Sequence, residues 1–270
     1  MTSSAPQFLY GTAWKEDRTA ECVSLALKAG FRGIDTANQR KHYNEVGVGE
    51  ALQKAYSDGL VKRDDLFLQT KFTYQRGQDH RLPYDPTAPL AKQVQQSLAS
   101  SLEHLDTEYV DSFVLHGPAS GYEWTADDDA VWNAMRAERE KGRTRVIGVS
   151  NVSLGHLQQM ADTPAFVQNR CYAQLGWDRE IRTFCREHGI VYQGFSLLTA
   201  NVPVLRHPLV QEIAGHMKAG IAQVTFAFAR QIGMLPLTGT TSFEHMQQDL
   251  SSLALTLPQE AVEAIESLAG

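Results

Sequence analysis

The chain has 270 residues, 43% of them apolar, with a formal net charge of −6. That length suits two small domains or one large α/β barrel, since barrels of about 250 residues are routine single domains. The acidic balance argues against nucleic acid as a main partner, though a local basic pocket stays open; no run reaches the ~18 apolar residues of a membrane helix, and Cys22, Cys171 and Cys185, with no Cys-x-x-Cys spacing, give neither a disulfide framework nor a cysteine zinc site.

In chain order, eight apolar runs read as strands. They are 8–13 (FLYGTA), 32–37 (RGIDTA), 66–72 (LFLQTKF), 110–116 (VDSFVLH), 145–151 (RVIGVSN), 166–171 (FVQNRC), 191–196 (VYQGFS) and 234–239 (MLPLTG). Helical stretches separate them; 87–104 has apolar spacing near 3.6, and 207–232 has room for two helices. Four junctions share one plan, in which an amphipathic stretch meets a glycine (Gly30, Gly142, Gly189, Gly233) and then an apolar run. Glycine past a helix supplies a left-handed cap and turns the chain directly into a strand. Repeated junctions of this kind predict parallel strands with helical crossovers. No linker or low-complexity segment divides the chain. The expectation is one domain over 1–270, an α/β fold of the (β/α)8 TIM barrel type, with a doubly wound sheet as the alternative. The opening "MTSSAPQFLYG" lacks a basic stretch followed by a long apolar run, so the expected location is cytoplasmic.

The C-terminal strand ends of such a barrel form its active face. Strand 1 ends in Gly11, Thr12, Ala13 and Trp14, strand 2 in Asp35, strand 3 in Lys71 and strand 4 in His116. Strand 5 ends in Ser150 and Asn151, strand 6 carries Gln168, strand 7 ends in Phe195 and Ser196, and strand 8 in Thr238 and Gly239. Tyr43 lies on the loop after strand 2. Taken singly, each has an ordinary reading: Asp35 caps a turn, Lys71 snorkels into water, His116 bonds within a Gly-Pro turn, Tyr43 packs on a helix start. Together they put titratable groups in order on one mouth. The nearby "GVG" is no dinucleotide fingerprint, because Gly47 and Gly49 follow the helix-start residues Asn44 and Glu45, and Leu52 stands where a third glycine belongs. Those glycines predict close helix packing in the barrel wall.

In this order the motifs resemble the aldo-keto reductases, NAD(P)H-dependent carbonyl reductases built on the same barrel. The resemblance runs from Gly11 to about Leu250 and rests on "GIDTANQRKHYNEVGVGEAL", "TK" at 70–71, "LH" at 115–116 with a proline near, "GVSN" at 148–151, "VQN" at 167–169 and "GFSLL" on strand 7. It implies a catalytic set of Asp35, Tyr43, Lys71 and His116. Tyr43 would be the general acid. A free phenol has a pKa near 10, and Lys71 would pull it down toward the working range. Asp35 would fix the amine, and His116 would orient the carbonyl oxygen.

The resemblance further implies that Ser150, Asn151 and Gln168 hold the nicotinamide carboxamide, that Phe195 stacks on the ring where many relatives have tyrosine, and that Ser196 and Leu198 lie near the pyrophosphate. Cofactor contacts extend to Gly11, Thr12, Ala13 and Asp35. At the adenosine end they comprise Thr238, Gly239, Thr240, Thr241, His245, Gln248 and Asp249. Many relatives grip the 2′-phosphate with a Lys-Ser pair and an arginine; here Thr238 and Gly239 replace the pair and His245 stands near the arginine's place. The implied cofactor is NADPH, with NADH possible; "TGTTS" can bind phosphate or simply cap a helix.

Trp14, Phe72, Tyr74, Tyr122 and Trp124 are expected to line an apolar pocket for a small aldehyde or ketone. The short N-terminus and the lack of a long C-terminal loop predict an open pocket. No metal, nucleic acid or membrane partner is implied, and the chain is expected to be a monomer or small homo-oligomer. Two other classes stay open: a catalytically weak nicotinamide-sensing regulatory subunit, and a lyase using Lys71 as a Schiff-base amine.

Overall fold

Each predicted junction glycine adopts the left-handed backbone that only a residue without Cβ takes freely: Gly30 at φ 117°, Gly142 at 77°, Gly189 at 69° and Gly233 at 90°. Each closes a helix and feeds a strand. The computed structural model describes residues 6–268. Its strands are β1 Leu9–Gly11, β2 Gly33–Asp35, β3 Phe67–Phe72, β4 Val110–Leu115, β5 Thr144–Ser150, β6 Phe166–Arg170, β7 Val191–Phe195 and β8 Met234–Thr238. All pair in parallel in sequence order, and β8 returns to β1 to close the barrel.

The helices are α1 Thr19–Ala29, α2 Glu45–Ser57, α3 Leu90–Leu105, α4 Ala126–Glu140, α5 Leu154–Gln159, α6 Arg179–Glu187, α7 Val202–Leu205, α8 Pro208–Met217, α9 Ile221–Gln231, α10 Phe243–Ser251 and α11 Gln259–Ser267. The segment 207–232 divides into α8 and α9, as its length suggests. Gly47 and Gly49 are packing glycines on α2. A Cβ on Gly47 would stand 3.1 Å from Thr19 of α1, and one on Gly49 would overlap the His104 carbonyl of α3. No helix among the described residues is long and apolar enough to cross a membrane.

Strand alternation sorts side chains into two compartments. Outward residues join one large apolar cluster between strands and helices, which includes Ile34, Leu68, Phe72, Phe113 and Tyr192. Inward residues fill the barrel in layers. The lowest is a separate apolar cluster of Leu9, Phe67, Phe166 and Leu235. Two residues further along their strands come Gln69 and Gln168, with Gln193 directly beside Gln168 in the β6–β7 register. The parallel sheet then delivers Asp35, Lys71, His116 and Ser150 to the same end.

Candidate active site

A cavity of about 600 Å³ opens at that end, and Asp35, Tyr43, His116, Ser150, Gln168 and Phe195 all line it. Beneath it lies Lys71, whose side chain is 1% exposed. Its ammonium donates to both Asp35 oxygens at 2.7 Å and to the Thr36 carbonyl at 2.9 Å, which accounts for all three of its hydrogens. Tyr43 arrives on a tight turn in which the His42 and Tyr43 amides both donate to the Gln39 carbonyl. The Tyr43 ring centre is 5.3 Å from the Lys71 nitrogen and 5.9 Å from the His116 ring. His116 Nδ1 lies 2.7 Å from the Thr73 hydroxyl. The structure therefore gathers the four predicted groups at one mouth.

Their electrostatics correct one expectation. The Tyr43 phenol is not pulled down by Lys71; its pKa is raised, by burial first and by the Asp35 charge second. The reason is visible in the bonding. Asp35 neutralises the ammonium at contact distance, so the net charge near the phenol is small and desolvation decides. Burial also lowers Lys71, against the opposing pull of Asp35. His116 is pushed down to about 3, by burial and then by Lys71. At neutral pH the site holds a protonated phenol and a neutral imidazole.

The wall beside these groups suits a flat heteroaromatic ring bearing an amide. Phe195 offers an aromatic face, Ser150 a hydroxyl and Gln168 an amide. Gly11 and Gly239 face each other across the β1–β8 seam, where a Cβ on Gly239 would lie 3.5 Å from the Gly11 carbonyl and 3.5 Å from the Lys15 nitrogen. Ala13, Ser196, Leu198, Thr238 and Thr240 complete this side. Lys15 and Arg170 also line the cavity, and neither forms an ion pair among the described residues. Both escaped sequence reading, as did Thr199. Lys15 follows Trp14, and Arg170 stands two residues after Gln168 on the same strand face, so alternation alone points to it. This donor set and its paired glycines fit a nicotinamide dinucleotide.

Other predicted residues lie elsewhere. Thr12 is buried, with its hydroxyl donating to the Asp35 carbonyl. Asn151 turns its amide back onto the His116 carbonyl and the Ser150 hydroxyl. At the adenosine end, Asp249 is buried and accepts from the Thr238 hydroxyl at 2.8 Å, tying β8 to α10; burial raises its carboxyl to about 6. Ser242 caps α10 by accepting from the His245 amide, so part of "TGTTS" is a helix cap. Thr241, His245 and Gln248 are exposed and stand outside the cavity wall.

The aromatic expectations divide in the same way. Trp14 is on the rim, 68% exposed, with its ring centre 3.8 Å from that of His42 and the two planes tilted by 36°. Phe72 cannot line the pocket: its neighbour Lys71 points inward, so Phe72 points outward against Tyr74 and Tyr84. Tyr74 donates its hydroxyl to Asp128. Trp124 is buried against Trp132 and donates its indole N–H to Asp129. Tyr122 is 94% exposed on the β4–α4 loop.

Comparison with known proteins adds four findings. The family model described as "Aldo/keto reductase family" matches residues 7–202. An aldo-keto reductase of Mycolicibacterium vanbaalenii is 32% identical, over 98% of this chain and 89% of its own. An NAD(P)H-dependent 6′-deoxychalcone synthase of Glycine max is 30% identical, over 92% of this chain and 79% of its own. Among solved structures, an aldo/keto reductase from Brucella melitensis superposes with a TM-score of 0.82 at 27% identity, covering 97% of this chain and 95% of that one.

Proposed function

Because the chain belongs to the aldo/keto reductase family, we propose that it reduces an aldehyde or ketone at this mouth, with NADPH as cofactor and Tyr43 as proton donor. The observation that carries the reading is a buried Asp35–Lys71 pair lying under a phenol whose hydroxyl has no partner among the described residues. The NAD(P)H-dependent activity named for the soybean relative supports the cofactor class.

Bound nicotinamide would supply a hydride from its C4. This chain's residues do the rest. Phe195 gives the ring an apolar face, and Ser150 and Gln168 meet its carboxamide. Lys15 and Arg170 place positive charge where the cavity would meet phosphate. The raised pKa keeps Tyr43 protonated across the working range, so its O–H is available to the substrate oxygen as negative charge builds there. The Asp35–Lys71 pair beneath the ring holds the nearest cation to the phenolate that proton transfer would leave behind. With the Thr73 hydroxyl 2.7 Å from Nδ1, the tautomer of neutral His116 that accepts there would present its Nε2–H to the same oxygen. The rim aromatic Trp14 favours substrates with an apolar body.

The test follows NADPH absorbance at 340 nm with 4-nitrobenzaldehyde. Turnover is expected, and Tyr43→Phe should lower it about 10²- to 10⁴-fold while the dissociation constant of NADPH stays within about twofold. Tight NADPH binding without turnover would remove the enzymatic reading. Retention of most activity in the variant would remove Tyr43 from its role.

A further inference from the structure

Below Asp35 the barrel interior holds three glutamines, of which Gln168 lines the cavity and Gln69 and Gln193 do not. Gln69 and Gln193 are fully buried and Gln168 nearly so. Branched apolar side chains ordinarily fill this space, and buried amides are costly unless every group is paired. Their pairing is dictated by one atom. Asp35 Oδ1 belongs to a carboxylate in contact with an ammonium, so it can only accept. Gln69 and Gln168 must therefore both turn their NH₂ groups toward it, at 2.7 and 3.1 Å. The second hydrogen of each then reaches Gln193 Oε1, both at 2.9 Å. With its oxygen so used, Gln193 must turn its own NH₂ toward Gln69 Oε1, 3.1 Å away. Gln168 thus has both hydrogens committed, one to Asp35 and one to Gln193, and its oxygen is the part of the amide left for the cavity.

We propose that Gln193 is a positioning residue: it holds the Gln168 amide with Oε1 toward the cavity, so that the site selects a ring substituent that donates an N–H. The inference rests on the nicotinamide reading of the cavity. The carboxamide of a nicotinamide has that N–H. The 3-acetylpyridine analogue of NADPH, with a methyl ketone in its place, has only an acceptor and would face Gln168 oxygen to oxygen. In Gln193→Leu, Gln168 keeps a single anchor, the longer bond to Asp35, and its second hydrogen, released from Gln193, can swing toward an acceptor on the ligand.

The experiment measures dissociation constants of NADPH and of its 3-acetylpyridine analogue by fluorescence titration, without turnover. Wild type should bind the analogue about five- to tenfold more weakly, the worth of one hydrogen bond. Gln193→Leu should bring the two within about twofold of each other, mainly by weakening NADPH. A wild-type ratio already within twofold overturns the proposal without any variant. So does a Gln193→Leu protein with native circular dichroism and the wild-type ratio; should the leucine variant not fold, Gln193→Met serves the same comparison. Failure of wild type to bind either dinucleotide would overturn the nicotinamide reading itself, and this inference with it, whereas binding of both without discrimination overturns this inference alone.

Discussion

His116 shows how far a residue's surroundings reset its chemistry. Its folded pKa of about 3 lies below the ordinary 6.5. Between those values the unfolded chain binds a proton that the folded chain refuses, so this group's contribution is intact above pH 6.5 and is lost as pH falls toward 3. The ring is half-buried, so a cost of about 2 kcal/mol by pH 4.5 is a fair magnitude. His116→Gln should flatten the dependence of Tm on pH between 4 and 6.5, measured by thermal melts. The same neutral state predicts no inflection from His116 in the pH–rate profile between 5 and 8. The residue types of the site were legible in the sequence, because strand ends and order place Asp35, Lys71 and His116. Their ionisation was not. Whether Lys71 lowers the Tyr43 phenol depends on where the ammonium's hydrogens point, and no sequence pattern records that.

The wall between α2 and α3 illustrates the next scale. A side chain on Gly49 would collide with the His104 carbonyl, a backbone atom that cannot step aside without moving the helix. Gly49→Ala should therefore cost 2 kcal/mol or more, at the upper part of the range for overpacked sites, roughly 1–3 kcal/mol. By contrast, Gly142 has nothing within 4 Å of a Cβ and only its left-handed φ to maintain. Gly142→Ala should cost about 1 kcal/mol. Urea denaturation midpoints of the two variants check the order. Both glycines were readable as punctuation, since each stands where a helix packs or turns into a strand. Phe72 stands at a strand end near the mouth, yet it does not face the pocket, because period-two alternation sends it to the face opposite Lys71. Tyr74 escaped for another reason: its acceptor, Asp128, lies on α4, and only the docked helix brings it into reach, whereas Trp124 is held locally by Asp129 in the first turn of the helix it precedes.

For the molecule as a whole, ligand binding should register as stability. NADPH at 100 times its dissociation constant should stabilise the fold by about 2.7 kcal/mol, a rise in Tm of about 5 °C. Beyond β8 the capping role of Ser242 and the exposure of His245 leave no fixed bidentate donor for a 2′-phosphate. NADH at the same concentration should then give a shift within a few degrees of it, and a preference for NADPH above about a thousandfold, near 4 kcal/mol, would reveal a grip the loop does not display. The eightfold alternation made the architecture readable, because the helix–glycine–strand plan is local. The filling of the barrel was not, since Gln69 and Gln193 meet only when β3 and β7 face each other across a closed ring. Leu9, Phe67, Phe166 and Leu235 close the bore beneath them. The barrel is consequently a vessel with a floor and an open mouth above it. A molecule that settled deepest, against Gln168 and Phe195, would have to enter before anything resting over it and depart only after that guest had gone.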